Sequence, residues 1–219
     1  KMKLIIIVLF LIYNFNLFSQ STELKKEYRL TNKYYKEKNY SEALQSNQKA
    51  LNLSIEEFGE NHLTTATLYE NKGRLLLELS EYGLAEIQFR NVVGIREKLI
   101  TDYNPDMAEA YNYLALSLRK QNKLDEAIIE HNKVLNIMSN VIANNPGQIS
   151  ELSRRSALYR ARAYQTKGQL LIKEGNYKEA EGNFKIAGRI FERTLGENKR
   201  ELEVLKIEMQ KLKETLNKY

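Results

Sequence analysis

The feature that most limits how this chain can fold is that it repeats itself. When Asn39-Tyr40-Ser41-Glu42-Ala43, Ser80-Glu81-Tyr82-Gly83-Leu84-Ala85, Asn122-Lys123-Leu124-Asp125-Glu126-Ala127 and Asn176-Tyr177-Lys178-Glu179-Ala180 are placed in register, the alanines stand 42, 42 and 53 residues apart. The last gap is one period plus eleven residues. Twelve residues before each alanine comes a small or short residue, Thr31, Gly73, Ala115 or Gly168, marking a close approach of two helices. Four residues before that stand Tyr69, Tyr111 and Tyr164, while the first copy has Glu27 with Tyr28 beside it. Four residues after the alanine come Asn47, Phe89, His131 and Phe184. A unit this short cannot cover its own apolar face, so neighbouring copies must stack and share a core.

Each copy reads as a pair of helices. Ala110, Leu114 and Leu118, then Leu124, Ala127, Ile128, Val134 and Leu135, recur at spacings of three and four, the period of an amphipathic helix. With only 2 prolines and 10 glycines in 219 residues, long helices are favoured over a turn-rich β fold. The pattern predicts helices at 21–38, 41–58, 63–79, 82–101, 106–120, 124–143, 149–173, 177–194 and 198–217. Asn144-Asn145-Pro146-Gly147 lies within the eleven-residue insertion and predicts a turn before a lengthened seventh helix.

An aromatic followed four residues later by Gly or Ala, then an Ala followed four residues later by an aromatic, resembles the tetratricopeptide repeat (TPR). The 42-residue period, Ile95-Arg96-Glu97-Lys98-Leu99, Asn104-Pro105-Asp106-Met107-Ala108 with the run to Ala115, and the turns Phe58-Gly59-Glu60-Asn61-His62 and Leu195-Gly196-Glu197-Asn198 are similar to the kinesin-light-chain variant. The resemblance implies an all-α, right-handed α-solenoid of about four helix pairs, with repeats near 24–62, 66–104, 108–147 and 161–197 inside an array over 20–200. It also implies a concave face built by the first helix of each pair. On that face it places Lys25, Tyr28 and Asn32; Thr67, Glu70 and Arg74; Glu109, Asn112 and Leu116; and Arg162, Gln165 and Gln169. The expected groove residues are Tyr28, Asn32, Glu70, Arg74, Glu109, Asn112, Leu116, Arg162, Gln165 and Gln169. Asn and Gln can pair with both groups of an extended backbone, and Tyr offers contact area at small entropic cost. Of the set with which some members grip a free carboxylate, Asn32 and Asn71 match, but Tyr28, Glu109 and Tyr113 replace basic members, so that use is not expected.

Little in the chain suggests catalysis. There is no cysteine, and the 2 histidines do not form a pair at helical spacing. His131 takes a packing position of the repeat and His62 a turn position, both structural readings. Gly182 and Gly188 lie on a predicted helix and are expected to permit close packing rather than cradle phosphate. Glu56-Glu57 point in different directions on a helix and read as a solvated face. The expectation is a protein or peptide binder, with no enzyme activity, cofactor or metal.

Formal net charge is +6, with both signs interspersed, so nucleic-acid binding is not expected although a mildly basic face is possible. Lys1 and Lys3, the apolar run Leu4–Ile12, and Leu17-Phe18-Ser19 follow the order of a secretory signal. Lys1-Met2 suggests a start at Met2, and a bacterial chain exported to the periplasm or beyond, cleaved after residue 19 and free of the membrane, is expected; retention as an anchor is the alternative. Leu195, Leu202, Met209 and Leu216 lie seven apart, with Leu205, Leu212 and Tyr219 offset by three. Residues 201–219 therefore read as a helix that caps the array of a monomer, or else as a coiled-coil stalk. A different class of reading makes the chain the N-terminal docking or sensing part of a longer protein, such as a CHAT-type protease or sensor kinase.

Overall fold

The computed structural model describes residues 22–101, 104–144, 149–194 and 200–217. They form nine helices and no strand. Helix α1 covers residues 22–36, and α2 (Tyr40–Phe58), α3 (Leu63–Glu78), α4 (Tyr82–Leu99), α5 (Pro105–Lys120), α6 (Leu124–Asn144), α7 (Ile149–Lys173), α8 (Tyr177–Thr194) and α9 (Arg200–Leu216) follow. The elements expected from periodicity are all present, with ends shifted by at most two residues. The proposed signal, and Leu195 and Tyr219 of the heptad rows, lie outside the described residues.

The chain divides into two compact units, Lys1–Leu99 and Ile100–Tyr219. The first holds α1 to α4 and the second α5 to α9. Within each, consecutive helices pack on one another, α2 on α3 and α3 on α4, then α5 through α9 in order. This is the helix-pair packing of an α-solenoid.

The turn inside each pair is built the same way four times. Lys38, Ser80, Asn122 and Gly175 each stand five residues before the buried repeat alanine, and each has positive φ, at 60°, 64°, 62° and 81°. At every one, two backbone bonds close the helix end: Asn39 N–H donates to Tyr34 O at 2.9 Å and Lys38 N–H to Tyr35 O at 3.0 Å, with counterparts at Glu81–Leu76, Lys123–Leu118 and Asn176–Leu171. These are Schellman closures, which satisfy carbonyls that a helix end would leave open.

Packing between the two helices of a pair follows from the small residues. Ala43, Ala85, Ala127 and Ala180 are fully buried. Gly73 faces Phe89 and Gly168 faces Phe184, with no room for a side chain between them. In the second unit Phe184, Phe191, Ala187 and Ala180 form a core with Leu202, Leu205 and Leu212 of α9. Helix α9 thus covers the apolar side of the last pair and turns Glu203, Lys206, Gln210 and Lys213 to solvent.

Candidate functional site

In the first unit, α1 and α3 leave an open cleft of about 520 Å³. Its walls are mostly apolar: Leu24 and Tyr28 from α1, Phe58 from the end of α2, and Leu63 and Leu68 from α3, with Thr64 and Thr67 beside them. Tyr28, Phe58 and Leu63 are 38%, 41% and 45% exposed, unusual for large apolar groups with a core so near. Their position is fixed by the turn between the pairs. His62 Nδ1 accepts the Thr64 N–H at 3.1 Å and so caps α3, and its ring stacks on Phe58 with centroids 4.6 Å apart. Lys25 and Arg29 complete the lining, and no carboxylate belongs to it.

The groove continues along the same two helices to a smaller pocket of about 50 Å³ lined by Thr31, Asn32, Tyr35, Asn71, Arg74 and Leu75. The Arg74 guanidinium lies over the Tyr35 ring, 5.7 Å from its centroid. Asn71 Nδ2 is buried without a hydrogen-bond partner among the described residues. Three expected groove residues, Tyr28, Asn32 and Arg74, therefore line this face of the first unit. Glu70 does not: it is 8% exposed and turned to α4, where Arg96 Nη1 lies 2.7 Å from its carboxylate.

The second unit has a polar cleft of about 440 Å³ between α5 and α7, which brings together Glu109, Asn112 and Arg162 with Tyr113, Arg154, Arg155 and Tyr159. Its charges are already matched. Arg155 donates to Glu109 at 3.0 Å, and Arg162 donates to Asn112 at 3.1 Å and to Glu201 of α9 at 2.7 Å. Burial pushes the Tyr159 phenol pKa up, so it stays protonated beside Arg155.

Gln165 and Gln169 are already engaged within the fold. They donate to Glu208 of α9 at 2.8 Å and 2.5 Å. Asn112 and Gln165 are only 2% and 1% exposed, and Leu116 is half-buried. Replacing Asn112 or Arg162 would remove contacts within the fold.

Beside this network, His131 Nε2 lies 3.2 Å from Thr166 Oγ1. The Thr166 hydroxyl donates to Arg162 O at 3.0 Å, so Nε2 carries the ring proton and Nδ1, which has no partner, is the bare nitrogen. Burial first, then the nearby Arg119 and Arg162, lowers the His131 pKa to about 3. Burial likewise pushes the Arg119 pKa down, against the opposing fields of Glu208 and Glu201.

Periodicity reached the inner-face residues but missed Phe58, Leu63, Thr64 and Arg29 in the cleft. The available signal was a pair of bulky apolar residues flanking a turn, where no repeat position requires them. It also missed Glu201 and Glu208, whose charge read as ordinary flanking of a heptad seam.

The arrangement of paired helices, identical turns and inner-face clefts has clear relatives. Residues 32–98 match the tetratricopeptide repeat family. That segment carries tetratricopeptide repeats. The chain is similar in fold to BtubC (BKLC) from P. vanneervenii, with 21% identity and a TM-score of 0.60 over 76% of this chain and 62% of that one. The chain thus spans less than two thirds of that protein's length. It is also similar to a Podosopora anserina chain of kinesin-light-chain type with nearly identical TPR-like repeats, at 17% identity and a TM-score of 0.58 over 89% and 87% of the two chains. A point variant of the latter gives 17% and 0.59. At these identities the likeness concerns fold. No curated protein matches the sequence. TPR units serve as scaffolds for binding other proteins, and that is the class of function they imply for this one.

Proposed function

We propose that this TPR chain is an exported scaffold that holds an extended segment of another protein on the inner faces of its first helices, with the α1–α3 cleft taking one bulky apolar side chain. The cleft carries the reading: about 520 Å³, apolar walls, and two cations on its rim with no carboxylate in the lining. That volume suits a large side chain, whose burial is worth about 1.5–3 kcal/mol. Lys25 and Arg29 have no ion-pair partner among the described residues, so an acidic neighbour of the apolar residue would be favoured.

Selection of a displayed random-peptide library on residues 20–219 tests this. The enriched peptides should share an aromatic or large aliphatic residue next to Asp or Glu, and Leu63→Glu should abolish their capture while leaving the helical circular dichroism unchanged. Peptides that bind Leu63→Glu as well as the parent would overturn the assignment. Export rests on the order of the charged, apolar and small-residue zones in residues 1–19. Intact-mass analysis of protein made in a secreting host should find that segment removed, and a membrane-held product retaining Leu4–Ile12 would argue for an anchor.

A further inference from the structure

The second helix of each pair has an outward face, and the repeat register allows the same face to be compared four times. On α8 it carries Lys178, Lys185, Arg189 and Arg193, which at 100° per residue fall within an arc of about 80°. At the corresponding positions α2 has Ser41, Gln48, Asn52 and Glu56, and α6 has Asp125, Asn132, Asn136 and Asn140. Helix α4 has two cations there, Arg90 and Lys98, and both are engaged, by Glu86 and Asn61. The fold therefore does not require cations on this face. Of the four on α8, Lys185 pairs with Glu181 at 2.7 Å, while Lys178, Arg189 and Arg193 are exposed and have no partner among the described residues.

Gly182 lies in the middle of the same arc. It was expected to permit packing within the chain, as Gly188 does against Leu205; instead a Cβ built on it would meet nothing within 4 Å. A glycine in an exposed helix interior is less favourable than alanine. The equivalent residues on α4 and α6 are Ile87 and Ile129, 54% and 57% exposed, so the register accepts a large side chain. Gly182 is thus a dent one turn from Lys178, Lys185 and the 38% exposed Ile186.

We infer that this face of α8 is a second docking surface, independent of the inner-face cleft, for an acidic protein segment whose backbone passes over Gly182. Its carboxylates reach Lys178, Arg189 and Arg193, and one apolar side chain rests on Ile186. A protein backbone gains from a missing side chain, which lets it approach closely; a lipid headgroup surface gains nothing from it. Glu181 and Glu192 border the stripe and repel a broad anionic surface such as a bilayer or duplex DNA, leaving room for a narrow chain.

Poly-L-glutamate is the first probe, added to the full chain and followed by fluorescence anisotropy at low and raised salt. The expected result is salt-sensitive binding that Lys178→Ala, Arg189→Ala and Arg193→Ala together weaken by about tenfold or more, that Gly182→Gln also weakens, and that Lys33→Ala, Lys36→Ala and Lys49→Ala together leave unchanged. Circular dichroism should show all variants folded, since the α8 side chains replaced are exposed and have no ion pair or hydrogen bond among the described residues. Equal losses in the two triple variants would overturn the proposal, as would absence of binding. So would Gly182→Gln binding at full strength, or phosphatidylglycerol vesicles or duplex DNA binding as tightly as the acidic polymer. Because no cleft residue is altered, retention of peptide capture by the α8 variants separates this surface from the cleft.

Discussion

The ring of Phe89 occupies the space that a side chain on Gly73 would need: a Cβ there would lie 2.7 Å from two ring carbons. Gly168 and Phe184 repeat the relationship in the second unit. Both rings are fully buried and cannot swing out without leaving a cavity. Gly73→Ala and Gly168→Ala should each lower stability by about 1–3 kcal/mol, as overpacking of a close contact does. Gly182→Ala, by contrast, should raise it by up to about 1 kcal/mol. Thermal melting followed by circular dichroism checks all three, and the opposite signs separate packing from helix propensity.

The positive-φ turns give a second test. Lys38 and Ser80 hold a conformation that costs a side-chain-bearing residue about 1–2 kcal/mol, whereas Gly175 holds it freely. Lys38→Gly and Ser80→Gly should therefore stabilise by about 1 kcal/mol, and Gly175→Ala should destabilise by a similar amount. Denaturant midpoints that moved the other way would mean that the lysine or serine side chain supports its turn.

These cases also mark what the sequence could and could not reveal. The alanine register and the helix pairs follow from spacing, because a 3.6-residue period and a repeated small residue leave few alternatives, whereas for α9 spacing left a cap and a coiled-coil stalk both open. The shared turn conformation did not follow from spacing, since lysine, serine, asparagine and glycine at one register position give no common signal. For the site, position on the inner face was legible but availability was not. Arg162, Gln165 and Gln169 carry the residue types of a peptide groove, yet Glu201 and Glu208 reach them from about forty residues further along the chain. Periodicity reports which way a side chain points, and only packing reports what already sits against it.

His131 should make stability depend on pH in a defined window. The unfolded chain takes up a proton near 6.5, the ordinary value of histidine, whereas burial and the flanking Arg119 and Arg162 hold the folded pKa at about 3. The contribution is present in full above 6.5 and is lost as pH falls towards 3, with a slope of up to about 1.4 kcal/mol per pH unit. His131→Gln should flatten the loss of stability between neutral and mildly acidic pH, measured by denaturant titration at each pH. An unchanged pH profile would place the sensitivity elsewhere.

Helix α9 is held by both its apolar seam and its carboxylates. Glu201→Gln should cost about 2 kcal/mol, because Arg162 donates to that carboxylate through two nitrogens at 3.0 and 2.7 Å. Deleting residues 201–219 should lower the melting temperature further and cause aggregation, while the intact chain elutes as a monomer in light scattering. A dimer that became a well-behaved monomer on deletion would make α9 an association element instead of a cover.

The small residue and the residue four after the repeat alanine lie sixteen positions apart in every pair: Thr31 and Asn47, Gly73 and Phe89, Ala115 and His131, Gly168 and Phe184. The two phenylalanines face the two glycines, so those two pairs are matched in volume as units. A recombination joint inside a hairpin would part a glycine from its phenylalanine and create either a void or a collision, whereas a joint between hairpins transfers both together. The chain carries a record of that rule. Its eleven extra residues lie between Ala127 and Ala180, where α6 runs to 21 residues and α7 to 25, yet Gly168 and Phe184 keep the spacing of the other pairs. Lineages of such arrays can thus lengthen or exchange modules at the linkers without renegotiating their interiors, and grafted hairpins should be designed with their cuts at the same places.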